Sequence, residues 1–282
     1  IGESGDIKKS TDGGVNFRYS NTGFTGGGAG GDPRDTDISR ISWNSANRFV
    51  MFLTDTGPFL TEDGGSTFRS LKSPSSVDLG WQTSTLSGAI DPTLNSNIVV
   101  TATGTWGIQR INITRNANVA YPSWPSWTTI SGSDANYQYI AFHTTNNNIV
   151  YAGRYRFDSI QTNNNYTTLT KVVEAMYKGN GDIVYSVESA GTGITRIYKS
   201  TNKGATWTNP YPDLPADSKE VGQVTIDPSN QDKIYVAVNH RGVYILKGAT
   251  WELKNEANGL DRDWLPTLFT QHITVDPNSP IN

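Results

Sequence analysis

Three aspartates lie close together in the stretch GGDPRDTDIS (30–39), and carboxylate oxygens are ligands that calcium prefers. The stretch lacks the glycine and the bidentate glutamate of an EF-hand loop, which favours a solvated loop instead. The chain has no cysteine, so thiolate metal sites and disulfides are excluded. We therefore predict no cofactor and no resident metal. The calcium candidates are Asp32, Asp35 and Asp37.

Aromatic side chains in the long segments between predicted strands form a second group. Exposed rings stack on sugar faces or anchor a partner protein, whereas rings that cover the outside of a sheet serve packing. The stretch NVAYPSWPSWTTI (118–130) places two tryptophans three residues apart among prolines. The candidates for ligand contact are Trp81, Trp106, Tyr121, Trp124 and Trp127.

Composition limits the class of protein. The chain has 282 residues and is 35% hydrophobic, which is enough to bury the core of one domain spanning residues 1–282. Its net charge of −3 argues against a nucleic-acid partner, and no apolar run is long enough to predict a membrane span. The repeat pattern is already under way at Ile1 and begins again near the C-terminus, so we expect a mature or excised piece of a longer protein with further domains.

Short apolar runs such as NIVVTAT and KIYVAVN are rich in β-branched and aromatic residues and are bounded by Gly, Asn, Asp or Pro, which predicts strands. The runs recur as a unit of three strands and two polar turns. Units begin near residues 38, 88, 139, 172 and 224, with a partial blade over 1–20 and a partial unit from 273. This period is typical of a four-stranded propeller blade. We predict an all-β fold, a β-propeller of six or seven four-stranded antiparallel blades.

A polar box recurs in three of these units, at the point where the third strand must turn back into the fourth. Its Ser or Thr and its Asp or Asn can cap the turn, and its glycine can take a positive φ. The aromatic residue that closes the box is expected to cover the hairpin, as is Trp251 after a similar GATW turn. The box residues are Ser10, Asp12, Gly14 and Phe17; Thr61, Asp63, Gly65 and Phe68; and Ser200, Asn202, Gly204 and Trp207.

The box resembles the Asp-box, or bacterial neuraminidase repeat. Together with the element I-D-P-x-N-x-x-x-I-Y-V-A-V (226–238), it makes the chain similar to the propellers of sortilin-type domains, xyloglucan-hydrolysing glycosidases and photosystem II assembly factors. The resemblance implies a propeller, but a shared fold does not fix one function.

One catalytic candidate comes from this resemblance. The stretch FLTDTGPF (52–59) is similar to the T-D-x-G-x-x-Y segment of the xyloglucan hydrolases, which implies that Asp55 is one carboxylate of an inverting pair. In that family the pair comes from two facing propellers, and here Leu53 and Pro58 depart from the pattern. The alternative is that Asp55 caps a polar turn between strands.

These observations favour binding over catalysis. We predict a non-catalytic interaction module, extracellular, at the cell surface or periplasmic, with a protein or glycan ligand. One alternative is a glycoside hydrolase of the xyloglucanase type that uses Asp55. The other is a structural subunit of a secreted filament or surface layer that assembles with copies of itself.

Overall fold

The computed structural model describes residues 8–12, 14–20, 38–45, 47–53, 57–71, 85–93, 98–103, 107–112, 128–131, 139–162, 165–189, 194–216, 218, 221–239, 241–255, 273 and 275. These residues form strands and turns without a helix, so the predicted all-β class is confirmed. Within these ranges, nothing has the length and helical character that a membrane-crossing helix needs.

The strands form a series of small sheets in chain order, and the ladders with a described register are antiparallel. A two-stranded sheet contains β1 (Lys8–Lys9) and β2 (Arg18–Tyr19). The next sheet has the order β3 (Ile38–Trp43), β4 (Phe49–Leu53), β5 (Gly57–Thr61), β6 (Arg69–Ser70). It is followed by β7 (Thr85–Ile90), β8 (Ile98–Thr103), β9 (Gly107–Asn112) and β10 (Thr128–Ser131), again in consecutive order.

Three further sheets follow. The first contains β11 (Ile140–Phe142), β12 (Val150–Ala152), β13 (Tyr155–Phe157) and β14 (Tyr166–Thr168). The second has three described strands, β15 (Ala175–Met176), β16 (Val184–Ser189) and β17 (Thr195–Ser200). The third contains β18 (Val221–Asp227), β19 (Asn230–Val238), β20 (Gly242–Lys247) and β21 (Thr250–Lys254). Each sheet is therefore a meander, the pattern predicted for one blade.

The chain divides into two compact units, which are described separately. The first unit comprises Ile1–Phe142, Asn146–Ala152 and Arg156–Thr167. The second comprises His143–Thr145, Gly153–Tyr155 and Thr168–Asn282.

The core of the first unit shows why β4 is a strand. Its residues FVMFL alternate between two faces, and both faces are buried. On one face, Val50 and Phe52 pack in a cluster with Leu60, Leu71, Ile90 and Val99. On the other face, Phe49 and Met51 pack with Phe59 and Phe68. A strand buried on both sides belongs to a sheet that is covered on both faces.

The second unit has one continuous core. Its centre contains Tyr185 and Ile197 of one sheet together with Ile234, Val236 and Leu246 of the next. Trp251 and Leu253 on β21 are half-buried and pack against this cluster. The β-branched runs that predicted strands are thus the residues that hold adjacent sheets together.

Candidate functional site

The residues that the sequence singled out for chemistry lie outside the described residues, so their roles stay predictions. They are the catalytic candidate Asp55, the aromatic candidates Trp81, Trp106, Tyr121, Trp124 and Trp127, and the calcium candidates Asp32, Asp35 and Asp37. Among the residues that the structure does describe, no three His, Asp or Glu side chains are grouped as a metal site.

The box from Thr61 to Phe68 forms the connection between β5 and β6. The Asp63 carboxylate accepts hydrogen bonds from the backbone N–H of Ser66 at 2.9 Å and of Thr67 at 2.8 Å. The Thr61 hydroxyl donates to Asp63 Oδ1 at 2.9 Å and accepts the N–H of Gly65 at 2.8 Å. Gly65 has a φ of 85°, and a Cβ there would lie 3.2 Å from the Phe49 ring. The polar side chains thus replace strand hydrogen bonds through the turn.

The first box repeats this network between β1 and β2. Asp12 Oδ1 accepts the N–H of Asn16 at 2.9 Å, and Ser10 Oγ accepts the N–H of Gly14 at 2.8 Å. As in the Thr61 box, the hydroxyl also donates to the carboxylate, here at 2.7 Å.

The third box makes the same bonds without a carboxylate. It follows β17, where Asn202 Oδ1 accepts the N–H of Thr206 at 2.9 Å. Ser200 Oγ accepts the N–H of Gly204 at 2.9 Å. The turn therefore needs an acceptor oxygen at this position, and a negative charge is not required.

The carboxylates of the boxes are held in the ionised form. Hydrogen bonds from the backbone and side chain of Asn16, and from Ser10, lower the pKa of Asp12 to about 2. For Asp63, burial acts to raise the pKa, but bonds from Thr67, Thr61 and Ser66 outweigh it and lower the pKa to about 2. A general acid needs a raised pKa, so these aspartates have the properties of turn residues.

The aromatic residues that close the boxes differ in burial, which corrects part of the sequence expectation. Phe68 is 2% exposed, whereas Phe17 is 57% exposed. Expected burial of Phe17 is wrong, because among the described residues its hairpin has only two short strands and no third strand for the ring to cover. Trp207 and Trp251 are half-buried rather than largely buried. The Trp251 indole N–H donates to the carbonyl of Pro212 at 3.0 Å.

Buried carboxylates also lie where the first strand of two sheets ends, and both are held in turns. Asp91 accepts the N–H of Thr93 at 2.9 Å, and its other oxygen accepts bonds from Asn147 and Gln161 at 3.0 and 2.7 Å. Asp227 accepts the N–H of Ser229 at 2.9 Å. Both residues are fully buried. Three of the four carboxylate oxygens accept hydrogen bonds within the fold, and Asp227 Oδ2 lies 3.5 Å from Lys233 Nζ. Both carboxylates are therefore engaged by neighbouring groups of the chain.

His143 takes the equivalent position after β11. Its Nδ1 accepts the N–H of Thr145 at 3.2 Å, and its Nε2 lies 2.8 Å from Asp182 Oδ1. With Nδ1 as the acceptor of the Thr145 N–H, Nε2 is the ring nitrogen that donates to Asp182. The bond from His143 and the charge of Lys203 lower the pKa of Asp182, against the effect of desolvation. The histidine thus reproduces the turn that an aspartate makes elsewhere.

The second unit contains a shallow cleft of about 560 Å³ beside Tyr211 and Asp232. The Asp232 carboxylate accepts bonds from Lys199 Nζ at 2.7 Å and from the Tyr211 hydroxyl at 2.8 Å. The Asp232 carboxylate is therefore already bonded to Lys199 and Tyr211, which does not favour it as a ligand-binding group.

The first strands of consecutive sheets in the first unit carry an arrangement of a different kind. The antiparallel register shifts between Ile38 and Arg40 on β3, and again between Thr85 and Ser87 on β7. A β-bulge at such a point redirects the next side chain, and bulges are frequent beside functional sites. In both strands the residue directly after the shift is polar.

These polar residues meet one another. Arg40 Nη1 donates to Ser87 Oγ at 3.3 Å, and the guanidinium carbon lies 5.6 Å from the centre of the Tyr139 ring, just before β11. The backbone N–H of Ile90 donates to the Ser42 hydroxyl at 3.2 Å, which fixes β7 beside β3. Ser87 is 1% exposed, and Arg40 and Tyr139 are half-buried. We call Arg40, Ser87 and Tyr139 the Arg40 recess.

Burial dominates the electrostatics of the recess. Desolvation lowers the pKa of Arg40, and the neighbouring Tyr139 only partly offsets it. Burial raises the pKa of Tyr139 to about 12, although the positive charge of Arg40 acts in the opposite direction. Among the described residues, no carboxylate lies within ion-pair distance of the Arg40 guanidinium. The recess therefore presents a partly desolvated positive charge without a negative partner in the described part of the chain.

Sequence reasoning missed this recess, although the repeat alignment contains a signal for it. Arg40, Ser87 and Tyr139 each lie four residues before the residue that follows the first strand, namely Asn44, Asp91 and His143. In the second unit, Gln223 lies four residues before Asp227 and also follows a register shift, and its Oε1 accepts the N–H of Ile273 at 2.7 Å. An alignment of the repeats places Arg40, Ser87, Tyr139 and Gln223 in one column of residues whose side chains can form hydrogen bonds.

Comparisons with known proteins identify the fold. No protein-family model and no curated protein matches the chain. Among solved structures, it is similar to YCF48 from Cyanidioschyzon merolae, with 15% identity over 93% of this chain and 82% of that chain and a TM-score of 0.56. It is also similar to the GH74 xyloglucanase from Xanthomonas campestris, with 10% identity over 75% of this chain and a TM-score of 0.51.

The aligned part covers 36% of the xyloglucanase chain, so this chain corresponds to about a third of that enzyme. Both neighbours are propellers, and together with the four-stranded meanders they establish that this chain has a β-propeller fold. The predicted fold class is confirmed, and the number of blades stays a prediction. At sequence identities this low, the similarity shows the fold, and the function has to be inferred from the residues of the site.

Proposed function

We propose that this chain is a binding module built on an Asp-box propeller, and that it recognises a protein or glycan ligand outside the cytoplasm, at the cell surface or in the periplasm. The observation that carries the proposal is the Arg40 recess, a half-buried cation that three consecutive sheets of the first unit surround with polar groups. A protein retains such a costly group where a ligand completes it.

The three boxes support the Asp-box part of the proposal. They share one hydrogen-bond pattern, in which a hydroxyl accepts the glycine N–H and an Asp or Asn oxygen accepts an N–H four residues on. Because Asn202 makes the same bonds as Asp12 and Asp63, the box serves the fold and leaves recognition to other residues.

Recognition without catalysis is testable on the isolated chain. The chain is applied to peptide and glycan arrays, and the release of reducing ends from β-1,4-glucan and xyloglucan is measured in parallel. We expect binding to a defined ligand and no turnover. Arg40→Gln is expected to weaken that binding by about tenfold or more, as loss of a charge-assisted contact does.

A matched control is Arg196→Gln, because Arg196 is an exposed arginine already paired with Asp213 at 3.1 Å. Its binding is expected to equal that of the wild-type chain. Turnover that disappears in Asp55→Asn with the fold intact would replace the binding module with a glycoside hydrolase. Regular filaments of the pure protein would instead favour a structural subunit.

A further inference from the structure

We infer that the Arg40 recess is a carboxylate-binding site, which takes a carboxylate of a protein or glycan ligand. The inference rests on the proposed binding function and names the chemical group at its centre.

The Arg40 guanidinium has more hydrogen-bond donors than the described residues satisfy. An arginine side chain carries five N–H donors in a planar fork. The structure gives one of them a partner, the bond from Nη1 to Ser87 Oγ at 3.3 Å, which is long for such a bond. The remaining donors of Arg40 have no acceptor among the described residues. These donors are therefore the groups that we expect a ligand to engage.

The positive charge of Arg40 has no compensating anion among the described residues. Buried charges in proteins are normally paired, because an unpaired charge loses its hydration without compensation. The Tyr139 ring at 5.6 Å supplies a cation–π contact, which compensates for only part of that loss. The raised pKa of Tyr139, about 12, keeps its phenol neutral, so the tyrosine does not act as the missing anion. An external anion would both pair the charge and satisfy the open donors.

The composition of the recess favours a carboxylate over a phosphate as the anion. The recess contains a single guanidinium and no lysine among its three residues, and its uncharged groups are a hydroxyl and a phenol. A guanidinium binds a carboxylate through two parallel hydrogen bonds, charge against charge. A phosphate monoester carries more charge and is commonly bound by several cations or by a helix N-terminus. The single positive charge of the recess therefore matches a carboxylate.

Arg40 and Ser87 occupy corresponding positions on neighbouring strands. The shift in register directly before Arg40 and the one directly before Ser87 lie on adjacent first strands of the same unit. The two residues are redirected together, which brings the hydroxyl to the guanidinium. Arg40 is half-buried, so part of the residue remains exposed to solvent.

Nuclear magnetic resonance of the whole chain, labelled with ¹⁵N-arginine, tests the inference. Sodium acetate replaces sodium chloride at constant ionic strength, and the Nε–Hε signals of Arg40 and Arg196 are followed. We expect the Arg40 signal to shift until the shift saturates with increasing acetate. The Arg196 signal is expected to stay unchanged, because Arg196 is already paired with Asp213. Acetamide, which has the shape of acetate without its charge, is expected to produce no saturable shift.

Two further measurements test the role of the planar guanidinium and the chemical class of the anion. Arg40→Lys keeps the positive charge but loses the planar fork, so we expect acetate to bind about tenfold more weakly, as measured by chemical shifts of neighbouring backbone amides. Inorganic phosphate is titrated in the same way. Equal affinity in Arg40→Lys, phosphate binding tighter than acetate binding, or an equal unsaturable drift of both arginine signals would overturn the inference.

The outcome is separable from that of the proposed function. If the arrays yield a ligand whose affinity is unchanged in Arg40→Gln and acetate fails to bind the recess, the carboxylate site is wrong and the binding module stands. If acetate saturates the recess but the chain turns over a glycan, the site stands and the proposed function is wrong.

Discussion

The Asp63 turn and the Arg40 recess are two polar regions of the first unit, and they treat their charged groups in opposite ways. Asp63 is exposed, yet its carboxylate accepts bonds from two backbone N–H groups and two hydroxyls. Arg40 is half-buried, yet among the described residues its guanidinium has one hydrogen bond and a ring contact. The difference indicates that the conspicuous repeated motif serves folding, while the single unrepeated arginine has the properties of a binding group.

The largest effect is expected where an aromatic side chain secures the turn. Phe68 is 2% exposed and contacts the edge of Phe49, with ring centres 5.9 Å apart. Phe68→Ala should lower the free energy of unfolding by about 3–5 kcal/mol, because it leaves a cavity in the core. The matched control is Phe17→Ala in the first box, where the ring is 57% exposed and a change within about 0.5 kcal/mol is expected. Urea denaturation of both variants measures the difference, and equal losses would show that all boxes depend on their aromatic residue alike.

A buried acid in the second unit offers a test of the cost of uncompensated charge. Burial is the main cause that raises the pKa of Glu174 to about 7, and Glu188 adds to it, whereas a bond from the Val187 N–H acts to lower it. Below the unfolded-state value of about 4.5, both states hold the proton and the group has no effect on stability. As pH rises from there to about 7, the unfolded state ionises first, so the folded state loses relative stability.

Glu174→Gln removes this pH dependence and keeps an acceptor for the Val187 N–H. The variant should match the wild-type chain near pH 4 and be more stable by about 1–3 kcal/mol near pH 8, as measured by thermal or urea unfolding. Glu252→Gln is the control, since Glu252 is ion-paired with Lys254 at 2.5 Å and its pKa is lowered to about 2. A similar gain from both variants at high pH would point to net charge rather than to burial of Glu174.

The Asp63 turn is expected to depend on an acceptor oxygen. Asp63→Ala should cost about 0.5–2 kcal/mol, as loss of a capping side chain does. Asp63→Asn should cost less, because Asn202 makes the same turn in the second unit. The lowered pKa of Asp63 means that its contribution is present above about pH 4 and is lost as pH falls toward 2, and the Asn variant should lack this acid sensitivity. An Asn variant as unstable as the Ala variant would show that the charge is needed after all.

The sequence predicted the regular parts of this molecule because they repeat. Apolar runs of β-branched residues bounded by polar turns were sufficient for the strands, and the box residues predicted where the third strand turns back. Burial could not be predicted in the same way: Phe17 and Phe68 occupy equivalent positions in the box, but only Phe68 has a complete sheet beneath it among the described residues. Burial depends on neighbouring strands, which a local pattern does not contain.

The recess escaped prediction for a related reason. Arg40, Ser87 and Tyr139 lie about fifty residues apart in the chain, and each looks like an ordinary strand residue by itself. Their meeting depends on two shifts in strand register and on the packing of successive first strands beside one another. Neither feature has a sequence signature as strong as the box, so only the alignment of whole repeats brings the three residues into one column.

Thermal unfolding of the wild-type chain and of Arg40→Met, with and without sodium acetate at constant ionic strength, tests whether Arg40 is a binding group. Methionine keeps the contact with the Tyr139 ring and removes a charge that has no ion-pair partner among the described residues, so without acetate the variant should be more stable by about 1 kcal/mol. Acetate should raise the unfolding temperature of the wild-type chain, because it binds the folded state, and should leave that of Arg40→Met unchanged. A variant that is less stable than the wild-type chain, together with an equal acetate effect on both proteins, would show that Arg40 is a structural residue and that the recess does not bind a carboxylate.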